Sequence, residues 1–173
     1  GNIEPEAKEF SDQELVADRL LACLPSMLLY WHRYHQDGKK INVVTDDDSI
    51  SGHFLHMLHD SPPSELHRKT LDTTLILYAE HEFNASTFTG RVITATLSDM
   101  HSAVTGAIGA LRGALHGGAN EAAMALIEQY NNADEAIDGV LSLLKHKQKI
   151  MGFGHRVYTT SDPRNSVNKK MSK

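Results

Sequence analysis

Leu115-His116-Gly117-Gly118-Ala119-Asn120-Glu121 places one histidine directly before a pair of glycines, with helix-forming residues on both sides. Glycine lets a backbone turn sharply and lie close against a neighbouring group. The stretch therefore reads as a corner, with one helix ending before His116 and another beginning near Asn120. A histidine at a helix start meets the positive end of the helix dipole, which favours the neutral imidazole. Such a ring can donate one hydrogen bond to a developing enolate without holding a permanent charge. Read alone, His-Gly-Gly is better served by an ordinary helix corner, because short glycine motifs recur by chance.

Working outward, residues 120–129 and 134–147 read as helices, with Lys145, Lys147 and Lys149 near the end where cations favour the dipole. Upstream, the segment from Thr87 to Arg112 is rich in Ala, Thr and Gly. Its Gly106, Gly109 and Gly113 leave one face nearly bare, which predicts tight helix packing in a core. Residues 64–81 read as a helix, and so do residues near 50–59, fronted by Asp46-Asp47-Asp48-Ser49 as acidic and capping groups. Ser11 and Glu14 have the spacing of a capping box. Beyond them Leu15, Leu20, Leu21, Leu24, Leu28 and Trp31 carry a helical pattern to about Gly38, which Pro25 should kink or split. Ile41–Val44 is either a short strand or an extended connector, and Asp162-Pro163 suits a helix start. Strand signals are nearly absent, so the expected fold is all-α.

At 173 residues the chain can build a real core, and 40% hydrophobic with 23% charged residues is ordinary for a soluble protein. A net charge of −5 argues against nucleic acid as a partner but not against a small anion. Cys23 is the single cysteine, so an internal disulfide is impossible. No apolar run approaches the roughly 20 residues a membrane span needs. Gly1–Glu6 lacks the character of a secretory signal, and a cytoplasmic location is expected.

Further chemistry-bearing residues lie on either side of the corner. Gly152-Phe153-Gly154-His155 frames an aromatic residue with glycines, and such a loop can offer backbone groups to a planar ligand; otherwise it is an interhelical turn with Phe153 filling the core. Arg164, just inside a helix start, can hold a carboxylate with two parallel bonds, although a lone arginine is more often a surface residue. His81 closes a helix, and Asn84 and Ser86 behind it can both cap the next one. His53, His56 and His59, with His32 and His35, raise the question of a metal. No HExxH or cysteine pair accompanies them, and solvated helix faces are the better reading.

Taken together and in order, His81-Glu82-Phe83-Asn84-Ala85-Ser86-Thr87, the His116 block, Gly152-Phe153-Gly154-His155-Arg156-Val157-Tyr158 and Asp162-Pro163-Arg164 resemble the citrate synthase family. Tyr30-Trp31-His32, Thr45-Asp46-Asp47-Asp48-Ser49-Ile50 and Gly52-His53-Phe54-Leu55-His56 are most similar to its bacterial 2-methylcitrate synthase branch, which serves propionate breakdown. The resemblance implies a citrate-synthase-like helical bundle, with a partial large domain over residues 1–158 and the start of a small domain over residues 159–173. It implies oxaloacetate and propionyl-CoA or acetyl-CoA as substrates, the thioester being a substrate rather than a cofactor, and no metal. It also implies a homodimer. By the same resemblance His116 stabilises the enol of the acyl-CoA, His155 activates the oxaloacetate carbonyl, and His81 and Arg164 bind oxaloacetate. Ile150, Met151, Gly152, Phe153 and Gly154 would recognise CoA, and Ser86 would orient His116. The family's catalytic aspartate has no match here. Asp162 is too close to a helix start, and Asp60, Asp72 and Asp99 have no matching context. The 173-residue polypeptide alone is thus expected to be inactive. Two other classes stay open: a non-catalytic CoA-binding or dimerisation module, and a histidine-rich metal-binding bundle.

Overall fold

The computed structural model describes residues 10–80, 84–154 and 158–171. Among them the chain forms eight α-helices and no strand, as expected. Two compact units are present, one of residues 1–81 with 163–173 and one of residues 82–162.

The first unit contains α1 (Phe10–Asp37), α2 (Ile50–His59), α3 (Glu65–Tyr78) and α8 (Arg164–Met171), with α1 against α2, α2 against α3 and α3 against α8. α1 is described from Phe10 onward, and the side chain of Ser11, expected in a capping box, lies outside what the structure describes. Pro25 does not split α1, which runs unbroken through it. The apolar stripe legible in the sequence is not the buried one. Leu15, Leu21, Leu28 and Trp31 are exposed, whereas Val16, Leu29 and Arg33 form the buried side.

Arg33 is 8% exposed and explains how α1 holds α2. Its Nη1 donates to the carbonyls of Met57 (3.3 Å) and Leu58 (2.8 Å), and its Nε donates to Asp37 Oδ2 at 3.0 Å. A cation here satisfies carbonyls that the end of α2 leaves unpaired and favours its dipole. Asp60 then closes α2 in the left-handed region, at φ 59°. The α2 N-terminus is capped by Ser49, which accepts from the Gly52 N–H at 3.0 Å. α2 is tied to α3 by a hydrogen bond from the wholly buried Ser51 hydroxyl to Asp72, whose other oxygen takes Arg68 at 2.8 Å.

Two histidines of α2 are half-buried rather than solvated. The two ring nitrogens of His53 lie 2.9 Å from Ser26 Oγ and 2.8 Å from Thr45 Oγ1, and His56 Nδ1 lies 2.8 Å from Asp47. Hydrogen bonding from Thr45 and from His56 holds the Asp47 carboxyl below its ordinary range. His53 therefore fastens α2 to α1 and to the connector, and His56 fastens it to the connector alone. Ile41–Val44 is irregular rather than a strand.

The second unit contains α4 (Ala85–Thr94), α5 (Met100–Leu111), α6 (Gly118–Ile127) and α7 (Ala133–Lys145). The alanine- and glycine-rich segment is two helices. Leu97 turns the chain at φ 65°, and Asp99 caps α5 by accepting from Ser102 N at 3.0 Å. α4 and α5 pack closely, as the bare face predicts, but the glycines contribute unequally. A Cβ on Gly106 would fall 2.1 Å from Ile93 Cδ1, whereas Gly109 faces open space and Gly113 belongs to the turn after α5. α7 ends at Lys145, so Lys147 and Lys149 lie beyond it. Its Gly139 leaves room for the ring of Tyr130, to which a Cβ would approach within 2.3 Å.

Candidate functional site

The end of α5 and the start of α6 build the His116 corner. Gly117 N donates to Leu111 O at 2.8 Å, His116 N to Gly113 O at 2.9 Å and Gly118 N to Gly113 O at 3.2 Å. The chain thus folds back under the last turn of α5. α6 begins at Gly118, two residues earlier than the sequence suggests, with Gly117 as its cap residue. Gly117 has ordinary helical angles, φ −60° and ψ −35°. Its need for glycine is therefore closeness rather than backbone freedom, since a Cβ would lie 2.4 Å from Leu111 O. The adjacent Gly118 is crowded in the same way, by Gly113 O at 3.1 Å.

This corner directs the half-buried His116 ring to the first turn of α4, where Nε2 lies 2.9 Å from Ser86 Oγ. Ser86 in turn donates to Asn84 Oδ1 at 2.8 Å, and that same oxygen accepts the Thr87 N–H at 2.9 Å as the N-cap of α4. The expected contact between Ser86 and His116 is present. Asn84 completes a three-residue chain that the capping pattern alone did not reveal. An apolar cavity of about 580 Å³ opens beside it between α4 and α5, lined by Ser86, Thr87, Gly90, Met100, Ala103 and Val104 among others.

The Ile150–Gly154 loop has the sharp turns expected of it. Gly152 (φ 90°) and Gly154 (φ 81°) both occupy the left-handed half of backbone space, which suits glycine. Phe153 does not fill the core. It is 78% exposed, at the rim of a cavity of about 460 Å³ also lined by Ala123, Ile127, Tyr130, Val140 and Met151. An aromatic side chain set on glycine hinges beside a mostly apolar hollow is suited to a planar ligand.

Arg164 is the first residue of α8, and its guanidinium lies 5.0 Å over the ring of Tyr78 in α3. A cation on an aromatic face is attracted by the negative charge of the ring and held in place. His81 and His155 lie outside the described residues. Arg164 belongs to the first unit and His116 to the second.

The three aspartates without family context all have structural work. Asp60 closes α2, Asp72 binds Ser51 and Arg68, and Asp99 caps α5. Among the described residues no three His, Cys, Asp or Glu side chains converge as a metal site would require. No helix there is long and apolar enough to cross a membrane.

Residues 2–173 match the family described as citrate synthase, C-terminal domain. The chain belongs to the citrate synthase family. It is 59% identical over 172 residues to a 2-methylcitrate synthase of Shewanella oneidensis, covering 99% of this chain and 46% of that protein. Citrate synthase 2 of Bacillus subtilis is 43% identical over 157 residues, covering 91% of this chain and 42% of that protein. The fold agrees with citrate synthase from Thermoplasma acidophilum, solved as a ternary complex with carboxymethyl coenzyme A and oxaloacetate. That match has a TM-score of 0.87 at 32% identity and covers 96% of this chain and 44% of the other. The chain thus spans less than half the length of these family members.

Proposed function

We propose that this chain carries part of the active site of a 2-methylcitrate synthase, which condenses propionyl-CoA with oxaloacetate and water to give 2-methylcitrate and CoA. The observation that carries the choice is the 59% identity to a 2-methylcitrate synthase across 99% of the chain. The 43% identity to a citrate synthase favours the second reading, condensation of acetyl-CoA to citrate with the same site roles.

The chemistry asks for a base at the α-carbon of the thioester and a donor at its carbonyl oxygen, because the proton is hard to remove without stabilising the enolate. On this reading His116 is that donor, held by Ser86 on its far nitrogen so that Nδ1 is left for the thioester oxygen. The new carbon–carbon bond forms at the oxaloacetate ketone, where His155 supplies the proton as the carbonyl becomes an alkoxide. Water then cleaves the thioester and releases CoA. His81 and Arg164 bind oxaloacetate, and Arg164 suits a carboxylate because its guanidinium can pair with both oxygens. The loop Ile150 to Gly154 takes CoA, with exposed Phe153 offering a face to the adenine ring. Residues 1–158 belong to the large domain and residues 159–173 begin the small one. The exposed apolar stripe of α1 is covered by protein in the assembled homodimer.

No aspartate of the chain is assigned as the base, so the 173-residue polypeptide by itself should release no CoA. The test of the site reading is His116→Ala in an intact synthase carrying this sequence, followed by thiol release with oxaloacetate present. Loss of one such donor lowers kcat by about 10²–10³-fold. An unchanged kcat would remove His116 from the mechanism.

A further inference from the structure

We propose that Asn84 is a positioning residue that sets which nitrogen of His116 carries the proton, acting through the single hydroxyl proton of Ser86. Hydrogen-bond accounting at three atoms leads there. The Thr87 N–H points at the side chain of Asn84 from 2.9 Å, and a donor there requires an acceptor, so the amide oxygen and not its nitrogen faces Thr87. That same Oδ1 lies 2.8 Å from Ser86 Oγ. An amide oxygen has no proton to give, so the hydroxyl proton of Ser86 lies between the two.

A serine hydroxyl has one proton. With it committed to Asn84, Ser86 Oγ can only accept from His116 Nε2, 2.9 Å away. In the neutral ring the proton is therefore on Nε2, and Nδ1 presents a lone pair. Asn84 Oδ1 and His116 Nε2 compete for one proton. If it turns toward the histidine, Nε2 becomes the acceptor and the ring's own proton resides on Nδ1.

The catalytic consequence rests on the synthase reading above. A neutral His116 donates to a thioester oxygen from Nδ1 only in the second arrangement. Asn84 then holds the site in its non-donating form until the Ser86 hydroxyl turns. The competition itself is independent of that reading and is tested without turnover.

The test is long-range proton–nitrogen NMR of the 173-residue chain labelled with ¹⁵N, at a pH where His116 is neutral, its ring signals assigned by their loss in His116→Gln. In the parent chain Nε2 should carry the proton. Asn84→Gly keeps an acceptable N-cap residue while removing the competing oxygen, and should raise the fraction of rings protonated at Nδ1 above that of the parent. Asn84→Asp retains an acceptor and should keep it on Nε2. A parent ring protonated at Nδ1 would overturn the proposal, and that spectrum decides the matter even if the glycine variant fails to fold. So would an Asn84→Gly ring whose Nδ1-protonated fraction is no larger than the parent's with α4 intact, because a residue that merely caps a helix leaves the tautomer alone. Failure of the synthase to release thiol would leave these spectra unchanged, so the two readings fail separately.

Discussion

Gly117 lies so close to Leu111 that a side chain of even one carbon would sit 2.4 Å from the Leu111 carbonyl oxygen. The obstruction is backbone at the end of α5, which cannot rotate away as a side chain does. The corner that aims His116 at Ser86 exists because both residues after the histidine can approach this helix end.

Gly117→Ala should therefore destabilise the chain, although its φ of −60° suits alanine. Overpacking of this kind costs about 1–3 kcal/mol. Gly109→Ala, in the same helical region but facing open space, should stabilise by about 0.5–1 kcal/mol by removing glycine from a helix interior. Thermal unfolding of the two variants checks this, with midpoints expected to move in opposite directions. Equal shifts would mean that both glycines act only through chain entropy.

Phe153→Ala should leave the stability of the 173-residue chain within about 0.5 kcal/mol, as for other exposed positions, because the ring is 78% exposed. If the loop takes CoA, the same change should weaken CoA binding to an intact synthase, read by calorimetric titration. A large fall in melting temperature with CoA affinity unchanged would make Phe153 a packing residue instead.

Acid should weaken the first turn of α3. Hydrogen bonds from Arg68 and then Lys69 lower the Glu65 carboxyl from 4.5 to about 2. A group depressed in the folded state contributes stability above its unfolded pKa, and that contribution is lost as pH falls through the folded one. The loss thus falls between about pH 4.5 and about pH 2. Glu65 is open to solvent, so the contribution is small and salt should shrink it further. Urea midpoints across this range should fall less steeply for Glu65→Gln than for the parent, with the difference reduced in 1 M salt. Parallel curves would mean that the pair contributes nothing.

The helices were legible where local chemistry decides them. Ser49, Ser64, Asn84 and Asn132 each accept a backbone N–H at the start of a helix, and the turn residues around them mark the boundaries closely. The buried side of α1 was not legible, because counting leucines finds the apolar stripe but not which stripe another helix covers. Arg33 is buried there through two carbonyls of α2, a partnership no spacing rule announces. His53 and His56 were misread for the same reason, their partners Ser26, Thr45 and Asp47 being set by tertiary packing. In the candidate site the glycine corner and its histidine stood out in the sequence. The role of Asn84 did not, since an asparagine before a helix reads as a cap and its second bond depends on where Ser86 points.

The most direct measurement follows CoA thiol release by an intact synthase carrying this sequence, with oxaloacetate present, comparing kcat/KM for propionyl-CoA and acetyl-CoA. One methylene in an apolar pocket is worth about 1–3 kcal/mol, or about 10–200-fold. A 2-methylcitrate synthase should favour propionyl-CoA within that range. A preference for acetyl-CoA would contradict the assignment and make the enzyme a citrate synthase, and no release with either thioester would contradict both.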